Sequence, residues 1–161
     1  PPRDAGDRDV PVLQRLAQSL EHVAVELGRP GISASFEDVQ TVTRALARLD
    51  VEFQKENPVT SLFTNDRNGD LNPEVLGERV LSALVEFEIP VSRVPELVEA
   101  LEEAGKTVDT VFSAALAEPI RPGESEPELI QILEENGIFY RPNGKTNVGL
   151  GKPFLPVEAA S

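Results

Sequence analysis

The chain has 161 residues and a net charge of −13, from 15 Lys and Arg against 28 Asp and Glu, with no Cys, Met or Trp. A field of that sign repels phosphate backbones and anionic lipid, which disfavours direct nucleic-acid binding and favours basic protein partners. The lack of Cys excludes disulfides, thiolate nucleophiles and Cys-ligated zinc, and no apolar run reaches the roughly 18 residues of a membrane-spanning helix.

Taken in chain order, residues 1–9 are polar and proline-rich. They read as a flexible arm and lack the apolar core of a signal peptide. A first helix is expected from Asp9 and Pro11 to Gly28 and Pro30, with Leu13, Leu16, Ala17, Leu20, Val23, Ala24 and Leu27 at steps of three and four. Ser35-Phe36-Glu37-Asp38 has the form of a capping box and opens a second helix. Its stripe is Val39, Val42, Leu46, Leu49 and Phe53, and Asn57-Pro58 stops it. Two such stripes in succession predict an antiparallel helix pair.

Residues 57–72 form the main loop. Asn72 and Pro73 then start a third expected helix, carrying Leu76, Val80, Leu84 and Phe87 and closed by Ile89-Pro90. Ser92 and Pro95 open a fourth helical stretch that keeps its spacing through Leu97, Leu101, Ala104, Val108, Val111 and Ala115 to Ala117. Gly105 and Thr107 leave open whether it is one helix or two. After a linker with Pro119, Pro122 and Gly123, Ser125 and Glu128 cap a short helix that ends at Asn136-Gly137. Ile138-Phe139-Tyr140, the turn Arg141–Gly144 and Lys145–Val148 read as a β-hairpin, and residues 149–161 as an extended apolar tail. The expected fold is mainly α: a bundle of four to six amphipathic helices with a small C-terminal β-hairpin and an extended tail. Residues 10–118 form its helical core, and residues 119–148 pack on that core.

Few residues suggest chemistry. Asp66-Arg67-Asn68-Gly69-Asp70 places oxygen donors at alternate positions and resembles the first part of an EF-hand loop. Counted from Asp66, however, Leu71 stands where that loop needs glycine and Gly77 where it needs the bidentate acid. A shortened calcium site built from Asp66, Asn68, Asp70 and Glu74 is what survives. The plainer reading is an Asn/Asp/Gly turn ahead of a capped helix. Gly144-Lys145-Thr146 matches the end of a phosphate-binding loop, but Phe139 replaces its first glycine and Pro153 blocks the helix that should follow. His22 is the single histidine and lies beside Glu21 on the expected first helix. The acid pairs Glu102-Glu103 and Glu134-Glu135 read as solvated helix faces.

Residues 39–60, an amphipathic helix ending in Phe53-Gln54 and followed by Asn57-Pro58-Val59, resemble the helix and exit of a peptidoglycan-binding repeat. That resemblance implies a cell-wall-binding module. The glycine of that family's Asn-Gly turn and the glycine-rich segment before its helix are both missing here.

The sequence therefore favours a non-enzymatic protein-protein interaction or assembly protein, a component or assembly factor of a larger complex such as a virus or phage particle. Its partners would be other proteins, basic ones included, or further copies of itself. Phe154, Leu155 and Val157 in the tail are the candidate partner-binding residues, because apolar side chains on a segment without periodicity dock on other surfaces. No cofactor is expected apart from the calcium candidate, and no membrane insertion. The expected setting is the cytoplasm or a larger particle. The alternatives are an extracellular calcium-stabilised or cell-wall-binding module, and an enzyme working with Asp, Glu, Ser or Lys alone.

Overall fold

A computed structural model describes residues 20–29, 31–118 and 127–141. Strand β1 is Leu20–Leu27, and its residues alternate: Val23, Val25 and Leu27 are buried, whereas His22, Ala24 and Glu26 are not. Strand β2 (Ala34–Ser35) leads into helix α1 (Phe36–Ala47), where the capping box forms as the sequence indicates. The Ser35 hydroxyl accepts from the Asp38 N–H at 3.1 Å, and the Asp38 carboxylate accepts from the Ser35 N–H. Asp50, at φ 51°, turns the chain out of the helix into β3 (Glu52–Phe53).

A small hairpin of β4 (Phe63–Asn65) and β5 (Asp70–Leu71) follows. A 3-10 turn at Pro73–Val75 and strand β6 (Arg79–Val80) lead to β7 (Ala83–Pro90). Helix α2 is Val94–Gly105, β8 is Phe112–Ala117 and α3 is Glu128–Glu135.

Four strands make the main sheet in the order β3-β7-β1-β8, and every neighbouring pair is antiparallel. Chain order β1-α1-β3-β7-α2-β8 with that strand order is the split-βαβ, ferredoxin-like arrangement. Val23, Val25 and Leu27 of β1, with Val85, Phe87 and Ile89 of β7, bury one sheet face against Val39, Val42 and Leu46 of α1 and Leu97, Leu101 and Ala104 of α2. A second, smaller cluster joins Val91 and Val94 to Leu129 and Leu133, which seats α3 beside α2.

This architecture overturns the expected bundle of four to six helices. The described part of the first expected helix is β1. Val23 and Leu27 satisfy a helical stripe and a strand equally, and their neighbours decide: Val25 is fully buried with them, whereas Ala24, which the helical stripe counted, faces the other side. The third expected helix shrinks to one 3-10 turn, and its remainder is β6 and β7. Its stripe counted Leu84 as core, which is 39% exposed, and passed over Val85 and Ile89, which are buried. The second helix ends at Ala47, so Leu49 and Phe53 leave it, and Phe53 enters the core from β3. The fourth stretch is neither one helix nor two but α2 followed by β8. No strand is formed by Ile138–Arg141, and the rest of the expected hairpin and tail, including Phe154, Leu155 and Val157, lies outside the described residues.

Candidate functional site

Three regions gather side chains that could contact a ligand or a partner. The first is the turn between β4 and β5. The Asn65 side-chain oxygen accepts from the Arg67 N–H, and that of Asn68 accepts from the Asp70 N–H, two Asx turns in succession. Gly69 sits at φ +72°, and a Cβ there would come within 2.4 Å of the Thr43 carbonyl oxygen. Helix α1 pins this turn three ways. The Thr43 hydroxyl donates to the Gly69 carbonyl at 2.7 Å, the Gln40 side chain accepts from the Leu71 N–H at 3.0 Å, and Arg44 Nε donates to Asp70 at 2.7 Å.

A cleft of about 320 Å³ results, lined by Arg44, Arg48, Arg67, Asn68 and Asp70. Of the four calcium candidates, Asn68 and Asp70 line this cleft. Asp66 instead lines a neighbouring one of about 560 Å³ with Asp50, Glu52, Lys55 and Glu88. Glu74 lies in the 3-10 turn, where its N–H donates to Asn72. The donors do not converge, and Asp70 is paired with Arg44 in a cleft that Arg48 and Arg67 also line. Among the described residues, no group of three or more His, Asp or Glu could hold a metal ion.

The second region is the sheet face away from the helices. Glu26, Glu52, Glu86 and Glu88 lie on it, with Glu52 directly opposite Glu88 across β3 and β7. Their oxygens are partly engaged: Glu86 accepts from Asn57 Nδ2 at 2.8 Å and Glu88 from Gln54 Nε2 at 3.2 Å. His22, the single histidine, is 3.8 Å from Glu86 on this face, beyond hydrogen-bond length. The acid pairs on the helices are also engaged, Glu103 with Lys106, Glu134 with Tyr140 and Glu135 with Gln131. Asp38 is the buried carboxylate of the molecule's described part, at 8% exposure. Burial pushes its pKa up, but hydrogen bonds from the Ser35 hydroxyl and the Asp109 and Ser35 N–H groups, together with the charge of Arg79, outweigh this and hold it below its ordinary value.

The third region is the outer edge of the sheet. β8 pairs with β1 on one side and is the last strand of the order. Its sequence, FSAALA, carries no charge, no proline and no bulge, the usual protections of an edge. The Gly28 N–H donates to the Val111 carbonyl at 2.8 Å, which extends the β1–β8 register by one position. Bonded and non-bonded pairs alternate in an antiparallel ladder. Val111, Ser113, Ala115 and Ala117 therefore direct their backbone groups to β1, while Phe112, Ala114 and Leu116 direct theirs outward. The same alternation sends the Glu86 carbonyl toward β3, where it accepts from the Gln54 N–H at 2.9 Å.

Beside this edge, one end of the sheet exposes apolar side chains. Gly28, at φ +85°, is the hub. Its carbonyl accepts from the Ile32 N–H, its N–H donates to Val111, and a Cβ on it would lie 3.0 Å from the Leu81 carbonyl oxygen. Ile32, Leu81 and Val111, with Leu84 one row along the sheet, are four of the five large apolar side chains exposed among the described residues; Leu81 is 86% exposed. Helical spacing does not disclose this region. Its signal in the sequence is the run Phe112–Ala117, free of charge in a chain this acidic, which the expected fourth helix absorbs.

No protein-family model matches the chain, and neither a curated protein nor a solved structure is found to be similar to it.

Proposed function

We propose that the protein is a non-enzymatic interaction module, a component or assembly factor of a larger complex, and that it engages its partner along β8. The uncharged edge, which has a neighbour on one side only among the described residues, carries this reading. Three outward residues offer both backbone groups to a further strand, and main-chain hydrogen bonds supply affinity in such strand addition. The apolar cluster of Ile32, Leu81 and Val111 at the end of that edge supplies the water-excluding contact that hydrogen bonds alone do not. The acidic sheet face, centred on β7 and β3 away from this seam, leaves a separate surface that suits a basic group.

The test compares the protein with Ala114→Pro and Leu81→Asp as baits for proteins from the native source. Ala114 directs its N–H away from β1, so proline there blocks an incoming strand while sparing the internal ladder. Loss of the same captured protein with both variants supports the reading. Capture that is indifferent to both removes it.

A further inference from the structure

The edge strand matches itself, and we infer that the partner on β8 is a second copy of this chain, paired antiparallel about a two-fold axis through Ala114. This rests on the reading of β8 as the contact surface and names its occupant.

The register follows from the ladder. A symmetric pairing must set outward groups against outward groups, so Phe112, Ala114 and Leu116 must meet residues of the same set. With the axis at Ala114, Phe112 faces Leu116 of the second copy, Ala114 faces its own counterpart, and about six main-chain bonds form, two per bonded pair. Shifting the axis to Ser113 or Ala115 would bring Asp109 or Glu118 opposite the uncharged run. At Ala114 both acids stay outside it, and Val111 meets Ala117 of the second copy.

Side-chain size agrees with this register. The residue on the axis is alanine, exposed on the helix side of the sheet, and the half-buried Phe112 and Leu116 exchange apolar contact across the seam. Two sheets of four strands then run on as one of eight.

Charge is the chief objection, since each chain carries −13. The seam answers it. Within the paired strands the nearest ionisable side chains, His22 and Glu26, sit one strand inward on β1, and like charges approach only at the two ends of the seam, Glu118 of one copy near Asp109 of the other. Between one copy's β1 and the other's lie three strand spacings, about 14 Å. Screening in physiological salt acts over about 8 Å, so the repulsion between the two copies, at the seam's ends and across β1, is salt-sensitive. Self-association should therefore strengthen as salt is raised. Docking of a basic partner on the acidic face would weaken instead.

The experiment uses the purified full chain. Sedimentation equilibrium over a wide concentration range should show the average mass rising toward twice the monomer, at lower concentration when salt is added. Ala114→Lys, which sets like charges against each other on the axis at an exposed position, should keep the chain monomeric without changing its melting temperature. Because the chain has no Cys, a single introduced thiol reports on one position. Ala114→Cys places two thiols on Cα atoms about 5.5 Å apart and should oxidise to a covalent dimer. Ala117→Cys places them about 20 Å apart and should not. A chain that stays monomeric at every concentration overturns the inference, as does a dimer unmoved by Ala114→Lys, or equal cross-linking at both positions.

Amide exchange separates the remaining occupants. If Phe112, Ala114 and Leu116 are protected in a dilute monomer and lose that protection when residues 142–161 are deleted, the chain covers its own edge and the second copy is wrong. A monomer whose capture of a different protein depends on Ala114 refutes the second copy and leaves the module reading standing. Indifference of both self-association and capture to β8 removes the two together.

Discussion

Replacing Asp38 tests how the first helix is tied to the far side of the fold. Its carboxylate accepts from the Ser35 N–H and hydroxyl at 3.3 and 2.6 Å, and from the Asp109 N–H at 2.9 Å. Ser35 caps α1, and Asp109 lies in the connection from α2 to β8, so one side chain joins the start of the helix to the approach to the edge strand. Asp38→Ala removes the reciprocal half of the cap, worth about 1 kcal/mol. It also strands a partly buried N–H at Asp109, worth about 2 kcal/mol. The expected loss is about 3 kcal/mol in urea unfolding near neutral pH, and Asp38→Asn, which keeps one acceptor oxygen, should lose about half of that.

The pH dependence makes the test sharper. The folded pKa lies below the unfolded value of 3.8, so the unfolded chain takes up the proton first as pH falls. The contribution of this carboxylate is therefore complete above about pH 5 and drains away as pH drops through the folded pKa. The stability gap between the native chain and Asp38→Asn should be widest near neutral pH and narrow toward about pH 3. A gap that stays constant, or an alanine variant as stable as the native protein, would refute the tie.

Other outcomes follow from the same geometry. Gly69→Ala should cost more than about 2 kcal/mol in chemical denaturation, since the added carbon meets the Thr43 carbonyl and the φ of +72° is strained for alanine. Phe87→Ala, at a fully buried position on β7 where the sheet meets the helices, should cost about 3–5 kcal/mol and lower the melting temperature accordingly. Ala115→Pro should destabilise the monomer more than Ala114→Pro, because the first removes a bond to β1 and the second an outward group; equal losses by calorimetry would contradict the ladder assignment. Calcium at about 1 mM should leave the melting temperature unchanged, because Arg44 already holds Asp70; a clear rise would show that the 65–70 turn binds the ion.

Much of the local punctuation is legible in the amino-acid sequence. The Ser35–Asp38 capping box, the stop at Asn136-Gly137 and the turn chemistry of Asn65–Asp70 are where the residue types put them. Each depends on neighbours within a few positions, so the sequence alone contains both partners. The turn's companions are not legible there. Thr43 and Gln40 read only as members of a helix, yet they hold Gly69 and Leu71 from 26 and 31 residues away.

Composition and short-range pattern determined the acidic surface, the start of α1 and the body of α2. Tertiary structure decided whether Leu20–Leu27 and Ala83–Pro90 are helix or strand, and among the described residues it left β8 as the last strand of the sheet. A helix closes its hydrogen bonds within four residues and declares itself locally. A strand borrows its bonds from a distant segment, as Val25 does from Val85, so spacing that suits both forms is resolved only when that segment arrives.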